Sequence, residues 1–360
     1  MTFVQSQPMK LVMTLLARDE ADILDAQLSY HLSAGVDFVI AIDNDSQDGT
    51  TDILKSYARQ GYLHLIRERG DLVANASEWR SRMARLAACE FEADWVMNSD
   101  ADEFWWPRGG DLKSFLGAVP ARFGKVRALV RSFAPRPDDG VFFAERMTAR
   151  VVYAELPKSS PLDSQPFHVQ EKVFHRAHPG VQVKAGAHDA SWTGLVDFRG
   201  WWPFEVLHFP IRSHEQCTRK WRNWQRQGYT GAYDILRDYE SLLVDDKALA
   251  EGLADGSLLI DTRVRDALRR LRPTSRPRSD QDREFALPSN DTRLTFPRAT
   301  LEEQAGLAAD VAHASSRDSF AKAARRAGQL EARIAELERR SWRRHGRRAR
   351  RLAAHILTRL

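Results

Sequence analysis

The first hundred residues alternate short apolar runs with segments whose apolar residues recur at helical spacing. Apolar runs of this length are typical of buried strands, and a period of three to four residues is typical of helices. Strands are predicted at 10–17, 36–42, 62–66 and 94–99, and helices after Asp19 (placed as an N-cap), over 50–60 and over 76–91. Because these elements follow one another through short connections, we predict an α/β fold with a mostly parallel, doubly wound sheet.

The alternation changes after about residue 125. Residues 125–209 are predicted to be rich in strands and loops, and helical spacing returns over 215–253. Prolines and like charges oppose packing in the following stretch. We therefore predict a globular domain over 8–270, a linker over 271–299 and a helical basic extension over 300–360.

The net charge of +5 is concentrated at the end of the chain. Residues 339–360 contain nine arginines and no acidic residue, so residues 1–338 carry a net negative charge. A uniformly basic nucleic-acid-binding protein is not expected from this distribution. The basic tail is instead predicted to contact an anionic membrane surface or a partner, with an unstructured tail and nucleic-acid binding as alternatives.

The cysteines and the absence of recognisable targeting segments bear on where the protein is located. The two cysteines, Cys89 and Cys217, give neither a disulfide framework nor a zinc spacing. Neither a signal peptide nor a membrane span is recognised. We therefore expect a cytoplasmic protein, with peripheral contact to the inner face of the membrane through its tail.

Two acidic clusters directly follow predicted strands, at 43–48 and 100–103. Ligands of such sheets bind beyond the carboxyl ends of the strands. The pair Asp100 and Asp102 could hold a hard divalent cation, Mn²⁺ or Mg²⁺, whose remaining coordination sites take substrate phosphates. A turn-forming role is the alternative, whereas the third Asp-x-Asp match, at 280–282, is predicted to be only solvated.

Three segments in this order resemble family-2-like glycosyltransferases. They are Thr14–Ala21 (TLLARDEA), Ile40–Thr50 (IAIDNDSQDGT) and Asp94–Phe104 (DWVMNSDADEF). The resemblance covers residues 10–106 and continues thinly through 186–189 and 208–216. It implies a GT-A fold and transfer of a sugar from a nucleotide-sugar, with inversion at the anomeric carbon. The predicted acceptor is a glycan or a lipid-linked molecule, which a membrane-bound tail would suit.

The resemblance also suggests roles for particular residues. It implies that the nucleoside is held by Arg18, Glu20, Asp43 and Asn44. A role in donor binding is further predicted for Arg82, which lies on a helical face with Arg80 and Arg85, and solvent exposure of that face is the alternative.

Further candidates come from the second half of the chain. His208 is predicted as a third metal ligand, with an ordinary hydrogen-bonded histidine as the alternative. Arg212 and Lys220 are predicted to bind the diphosphate. A carboxylate must take the proton of the acceptor hydroxyl. Asp189 is the first choice for this base, and Glu205 and Asp197 are its rivals.

Two other functions remain open from the sequence. A nucleotidyltransferase also places Asp-x-Asp on an α/β sheet, although the first strand here lacks a glycine- and lysine-rich phosphate loop. A non-catalytic binding protein of GT-A type, docked by its basic tail, is the second alternative. One or two of the tryptophans at 105, 106, 192, 201 and 202 are expected to line an acceptor cleft.

Overall fold

A computed structural model describes most of the chain. The described residues are 9–164, 166–168, 170–198, 202–226, 234–271, 293–300, 303–313 and 315. Contacts divide the chain into two compact units, 1–307 and 308–360. The basic tail at 339–360, Trp201 and the Asp-x-Asp match at 280–282 lie outside the described residues.

The described residues contain thirteen strands, eight α-helices between residues 24 and 271, and a further helical stretch at 303–313. The strands are β1 Leu11–Ala17, β2 Phe38–Asp43, β3 Leu63–Arg67, β4 Trp95–Asp100, β5 Glu103–Pro107, β6 Lys125–Ser132, β7 Ala149–Val151, β8 Glu171–Arg176, β9 Gln182–Val183, β10 Ala190–Ser191, β11 Asp197–Phe198, β12 Phe204–His208 and β13 Leu258–Ile260. The helices are α1 Leu24–Ser33, α2 Thr50–Arg59, α3 Leu72–Cys89, α4 Leu112–Ala118, α5 Phe143–Arg146, α6 His214–Arg226, α7 Asp246–Asp255 and α8 Arg263–Leu271. Short 3-10 helices lie at Pro161–Asp163, Ala185–Ala187, Asp234–Arg237 and Tyr239–Leu242.

Nine strands form one central sheet in the order β3-β2-β1-β4-β8-β6-β12-β5, with β11 also paired to β6. β1 to β4 are parallel to one another, and β12 and β11 are parallel to β6. β8 runs antiparallel between β4 and β6, and β5 runs antiparallel to β12. The predicted α/β class with a mostly parallel sheet is confirmed.

Strand β1 shows why the sheet is covered on both faces. Leu11, Met13 and Leu15 alternate with Val12 and Leu16, and the two sets belong to different apolar clusters. One cluster includes buried residues of α1, α2 and α8, and the other includes those of α3. A strand buried on both faces is largely apolar, which explains the nearly continuous apolar run in the sequence. The one polar side chain, Thr14, is buried and donates a hydrogen bond to Oδ1 of Asn98.

Two predicted helix boundaries are wrong. The first helix begins at Leu24 with Ile23 at the N-cap position, so Asp19 does not cap it. Asp19 has a positive φ of 57° and its carboxylate accepts a hydrogen bond from the amide of Gln47 instead. α3 begins at Leu72, four residues earlier than predicted, because the Asp71 carboxylate accepts from the amides of residues 73 and 74.

The second half of the chain matches its predicted character more loosely. Residues 125–208 contain seven of the strands, as expected. The helical spacing over 215–253 corresponds to α6, two short 3-10 helices and α7 rather than to one long helix. Leu294 and Phe296, within the predicted linker, are buried in the core, and Phe296 pairs with Gly110. The predicted domain boundaries otherwise stay a prediction.

Candidate active site

A cavity opens at the carboxyl ends of β1 and β4. Its volume is about 400 Å³, and its lining comes from 16–20, 72–80, 100–103, 185–188 and 216–224, together with Val130, Pro166, Gln170, Lys172 and His208. Most of these residues lie at the ends of β1, β4 and β12, on β6 and β8, at the start of α3, on one 3-10 helix and on one face of α6. The location agrees with the expectation for an open α/β sheet.

Asp102, Glu103 and His208 lie side by side in this cavity, with one potential ligand atom of each within 4.8 Å of the others. The sheet explains why residues so distant in sequence meet. Glu103 begins β5 and pairs directly with His208, the last residue of antiparallel β12. The Nε2 atom of His208 is 3.5 Å from Oδ2 of Asp102, and its Nδ1 is 3.2 Å from Oγ of Ser132.

Asp100 has different partners from Asp102. Its carboxylate contacts the guanidinium of Arg80 and lies 2.5 Å from Nζ of Lys172. Burial alone would raise the pKa of Asp100, but Arg80 and Lys172 outweigh it and the pKa is lowered. Asp100 is not one of the three clustered possible metal ligands, Asp102, Glu103 and His208. Its role as a metal ligand stays a prediction.

Lys172 also contacts the carboxylate of Glu103. Its Nζ is 2.8 Å from Oε1 of Glu103, and both side chains are at most 3% exposed. Burial raises the pKa of Glu103 although Lys172 opposes the shift. Lys172 enters from β8, the antiparallel strand beside β4, and the sequence contained no motif that pointed to it.

Asp102 forms an ion pair with Lys220 of α6, which the sequence predicts to bind the diphosphate. The Nζ of Lys220 is 2.9 Å from Oδ2 of Asp102 and 3.1 Å from the carbonyl oxygen of Pro210. Burial alone would raise the pKa of Asp102, but Lys220 and His208 lower it well below its ordinary value. Asp102 is therefore ionised at neutral pH.

The predicted nucleoside residues divide into two groups. Arg18 and Glu20 line the cavity. Asp43 is fully buried and accepts hydrogen bonds from the amide of Ser46 and the hydroxyl of Thr51. Asn44 accepts from Nη1 of Arg18 and donates to two backbone carbonyls, at residues 68 and 70. Asp43 and Asn44 thus shape the loop, while Arg18 and Glu20 face the cavity.

Arg212 connects the loop after β12 to the loop after β1. Its guanidinium is 1% exposed, contacts Glu20 and places Nε 2.6 Å from Oδ2 of Asp22. Burial raises the pKa of Glu20 to about 7 although Arg212 opposes the shift. The described residues that line the cavity do not include Arg212, which holds the loop carrying Glu20.

Arg82 and Asp189, two further predicted site residues, lie among other ion pairs. Arg82 pairs with Glu68. The Asp189 carboxylate is 2.5 Å from Nζ of Lys125 and 3.3 Å from Nζ of Lys184. Neither residue is among the described residues that line the cavity. Burial would raise the pKa of Asp189, but Lys125 lowers it.

The two rivals for the base are also held by cations. Glu205 pairs with Arg131 and Arg263, and these arginines lower its pKa to about 2 against the effect of burial. Asp197 pairs with Arg127. Neither carboxylate is among the described residues that line the cavity.

Several cavity residues were not singled out from the sequence. Trp224 and Asn223 line the cavity from α6, and His188 lines it from the loop before β10. The predicted tryptophans Trp105 and Trp106 are buried in the core instead. Helical spacing from Lys220 to Trp224 places both on one face, which is the only signal in the sequence that could have identified Trp224.

Comparison with known proteins relates part of the chain to glycosyltransferases. Residues 13–122 match the sequence model of glycosyltransferase family 92. That segment holds β1 to β4 and the Asp100–Glu103 turn, but it is less than half of the chain, so the family itself is not fixed. No curated protein sequence matches the chain.

Solved structures give only distant similarity. S. aureus TarS 1–349 in complex with UDP-GlcNAc is 12% identical with a TM-score of 0.30, over 68% of this chain and 73% of that one. Glucosyl-3-phosphoglycerate synthase from Mycobacterium tuberculosis, in complex with Mn²⁺, UDP-glucose and phosphoglyceric acid, is 20% identical with a TM-score of 0.22, over 36% and 44%. Against the longer TarS chain the similarity spans 24% of that protein. These TM-scores are too low to support an argument about the fold, which is therefore described from the sheet of this chain alone.

Within the described part of the chain, no helix combines the length and the apolar character that a membrane span requires.

Proposed function

We propose that the protein transfers a sugar from a nucleotide-sugar to an acceptor hydroxyl, with a divalent cation at the diphosphate and inversion at the anomeric carbon. The observation that carries the proposal is the cluster of Asp102, Glu103 and His208 in a cavity that also contains Arg80, Lys172 and Lys220. Carboxylates and an imidazole beside cationic side chains suit a metal together with a phosphate-bearing ligand.

The chemistry of the donor set supports a metal. Two carboxylates and an imidazole have ligand atoms within 4.8 Å, and this mixture suits Mn²⁺ at least as well as Mg²⁺. Asp102 and His208 would hold the ion, with Glu103 as a further ligand and Asp100 close by. When bound, the cation would neutralise the charge that develops on the departing diphosphate.

The donor is proposed to lie along the wall formed by β1, α3 and α6. Arg18 and Glu20 would contact the nucleoside, while Asp43 and Asn44 keep their loop in shape. Lys220 and Arg80 would face the phosphates, and Arg212 would act by positioning Glu20. Arg82 stays a prediction for the same region.

The base that takes the acceptor proton is proposed to be a carboxylate. Asp189 is the candidate from the sequence. Glu20 is a second candidate, in place of its nucleoside contact, because it lines the cavity and burial raises its pKa to about 7. A base is most effective when its pKa lies near the working pH. A glycan or a lipid-linked sugar is the proposed acceptor, with the tail at 339–360 contacting an anionic membrane.

The proposal is tested by incubating the protein with a panel of nucleotide-sugars and Mn²⁺, and by measuring the shift in melting temperature and the release of nucleoside diphosphate. Asp102→Asn should abolish both signals, whereas Asp282→Asn, in the third Asp-x-Asp match, should leave them unchanged. If no nucleotide-sugar stabilises the wild-type protein with Mn²⁺, the proposal is wrong, and a non-catalytic binding protein becomes the better interpretation. Pyrophosphate release from a nucleoside triphosphate would instead indicate a nucleotidyltransferase.

A further inference from the structure

The acidic turn of the active site is already balanced by positive charge. The carboxylates of Asp100, Asp102 and Glu103 are contacted by three cationic side chains, those of Arg80, Lys172 and Lys220. A divalent cation that joined this cluster would create an excess of positive charge in a buried site. Electrostatic repulsion is strong where water is excluded, so one of the cationic side chains has to give way.

Lys220 competes directly for the metal-binding oxygen. Its Nζ is 2.9 Å from Oδ2 of Asp102, the same oxygen that lies 3.5 Å from Nε2 of His208. A cation held by Asp102 and His208 would need this oxygen, so the ammonium and the cation cannot both be fully bound to it.

Lys220 is also the cation best able to leave. Its side chain is 19% exposed and lines the cavity, whereas Lys172 is 3% exposed and fixed between Asp100 and Glu103. The other described partner of the Lys220 ammonium is a single backbone carbonyl, at Pro210. A flexible lysine on a cavity wall can turn towards a ligand at little cost.

We propose that Lys220 exchanges partners: it binds Asp102 when the metal is absent, and it turns to the diphosphate of the donor when the metal is bound. This inference rests on the proposed function. It makes the binding of metal and diphosphate cooperative, because each ligand removes an obstacle to the other. The diphosphate draws the ammonium away from Asp102, and the cation drives the ammonium towards the diphosphate. By linkage the two effects are equal in size.

The experiment measures Mn²⁺ affinity on the full chain, by electron paramagnetic resonance of free Mn²⁺, for wild type and Lys220→Met. With Mn²⁺ alone, Lys220→Met should bind at least about fivefold more tightly than wild type, the lower limit of ordinary coupling between sites. UDP, used as the diphosphate probe and corrected for its own complex with Mn²⁺, should tighten Mn²⁺ binding in wild type and have a smaller effect in the variant.

The matched control is Arg222→Met, which removes a cation from the same helix at an exposed position. It should leave Mn²⁺ affinity unchanged. Melting curves give a second measurement: Mn²⁺ should raise the melting temperature of Lys220→Met more than that of wild type, since the variant leaves Asp102 without its ammonium. Lys220→Gln repeats the test in case the methionine variant folds poorly.

The outcomes separate this inference from the proposed function. If wild type binds Mn²⁺ and UDP but Lys220→Met binds Mn²⁺ equally or more weakly, the exchange of partners is wrong and the proposed function stands. If neither protein binds Mn²⁺ or UDP, both are wrong.

Discussion

Replacing Arg212 with methionine tests how the cavity is held together. The guanidinium is buried between the loop after β12 and the loop after β1, where it pairs with Glu20 and Asp22 and donates to the carbonyl of Phe209. Removing one partner of a buried ion pair costs about 3–5 kcal/mol. The Asp22 side chain is 37% exposed and can regain water, so we expect the lower limit, about 3 kcal/mol. For a chain of this size that corresponds to a fall in melting temperature of about 4 °C.

The size of this loss should depend on pH in a defined direction. Burial raises the pKa of Glu20 to about 7 while Arg212 lowers it, so the variant should raise that pKa further. At pH 6 the folded wild type already holds Glu20 mostly protonated, and the ion pair contributes little. At pH 8.5 Glu20 is charged in wild type, and losing its partner costs more. Arg212→Met should therefore destabilise the protein more at pH 8.5 than at pH 6.

The assay is thermal unfolding at both pH values, with Arg222→Met as the control on the exposed face of α6. The reasoning is refuted if Arg212→Met melts within about 1 °C of wild type at both pH values, since that corresponds to less than about 1 kcal/mol. A larger loss at pH 6 than at pH 8.5 would also refute it, because the coupling to Glu20 would then have the wrong sign.

Three further predictions concern single carboxylates. Asp43→Ala removes the buried acceptor of two hydrogen bonds and should cost about 2 kcal/mol, measured by urea unfolding. Burial raises the pKa of Glu20 to about 7, so Glu20 binds its proton more tightly in the folded state than in the unfolded one. The free energy of unfolding of wild type should therefore fall by about 3 kcal/mol relative to that of Glu20→Gln as the pH rises from 4.5 to 7. Urea unfolding at the two pH values measures this difference. If Glu20 is the base, Glu20→Gln should lower the rate of sugar transfer about a hundredfold or more while Asp189→Asn changes it little; the reverse result would assign the base to Asp189.

The N-terminal half of the fold could be predicted because its signals are local. The runs of β1 and β2 are largely apolar because both faces of the sheet are covered. Gly49 and Gly61 flank α2 and mark its two ends in the sequence. The predicted N-cap at Asp19 is wrong although a carboxylate before an apolar period is typical of an N-cap. Here a longer-range partner, the amide of Gln47, takes that side chain instead.

The active site could be predicted only in part. The meeting of Asp102 and His208 follows from the pairing of β5 with β12, and only the family resemblance suggested it. Lys172 could not be found because its role depends on β8 entering the sheet between β4 and β6, and nothing in the local sequence determines that order. Asp189 resembled a base in sequence, yet Lys125 lies 2.5 Å from its carboxylate.

The position of β8 limits how this enzyme can be divided. The segment that matches the family model ends at residue 122, before β6, β8 and β12. A fragment cut there would leave β4 with one open edge and β5 with no partner strand, and exposed strand edges promote aggregation. Its acidic turn would also lack Lys172, Lys220 and His208. The segment that matches the family model is therefore not an independent folding unit: a chimera that exchanges this cavity has to carry the chain at least through α6 as a single piece.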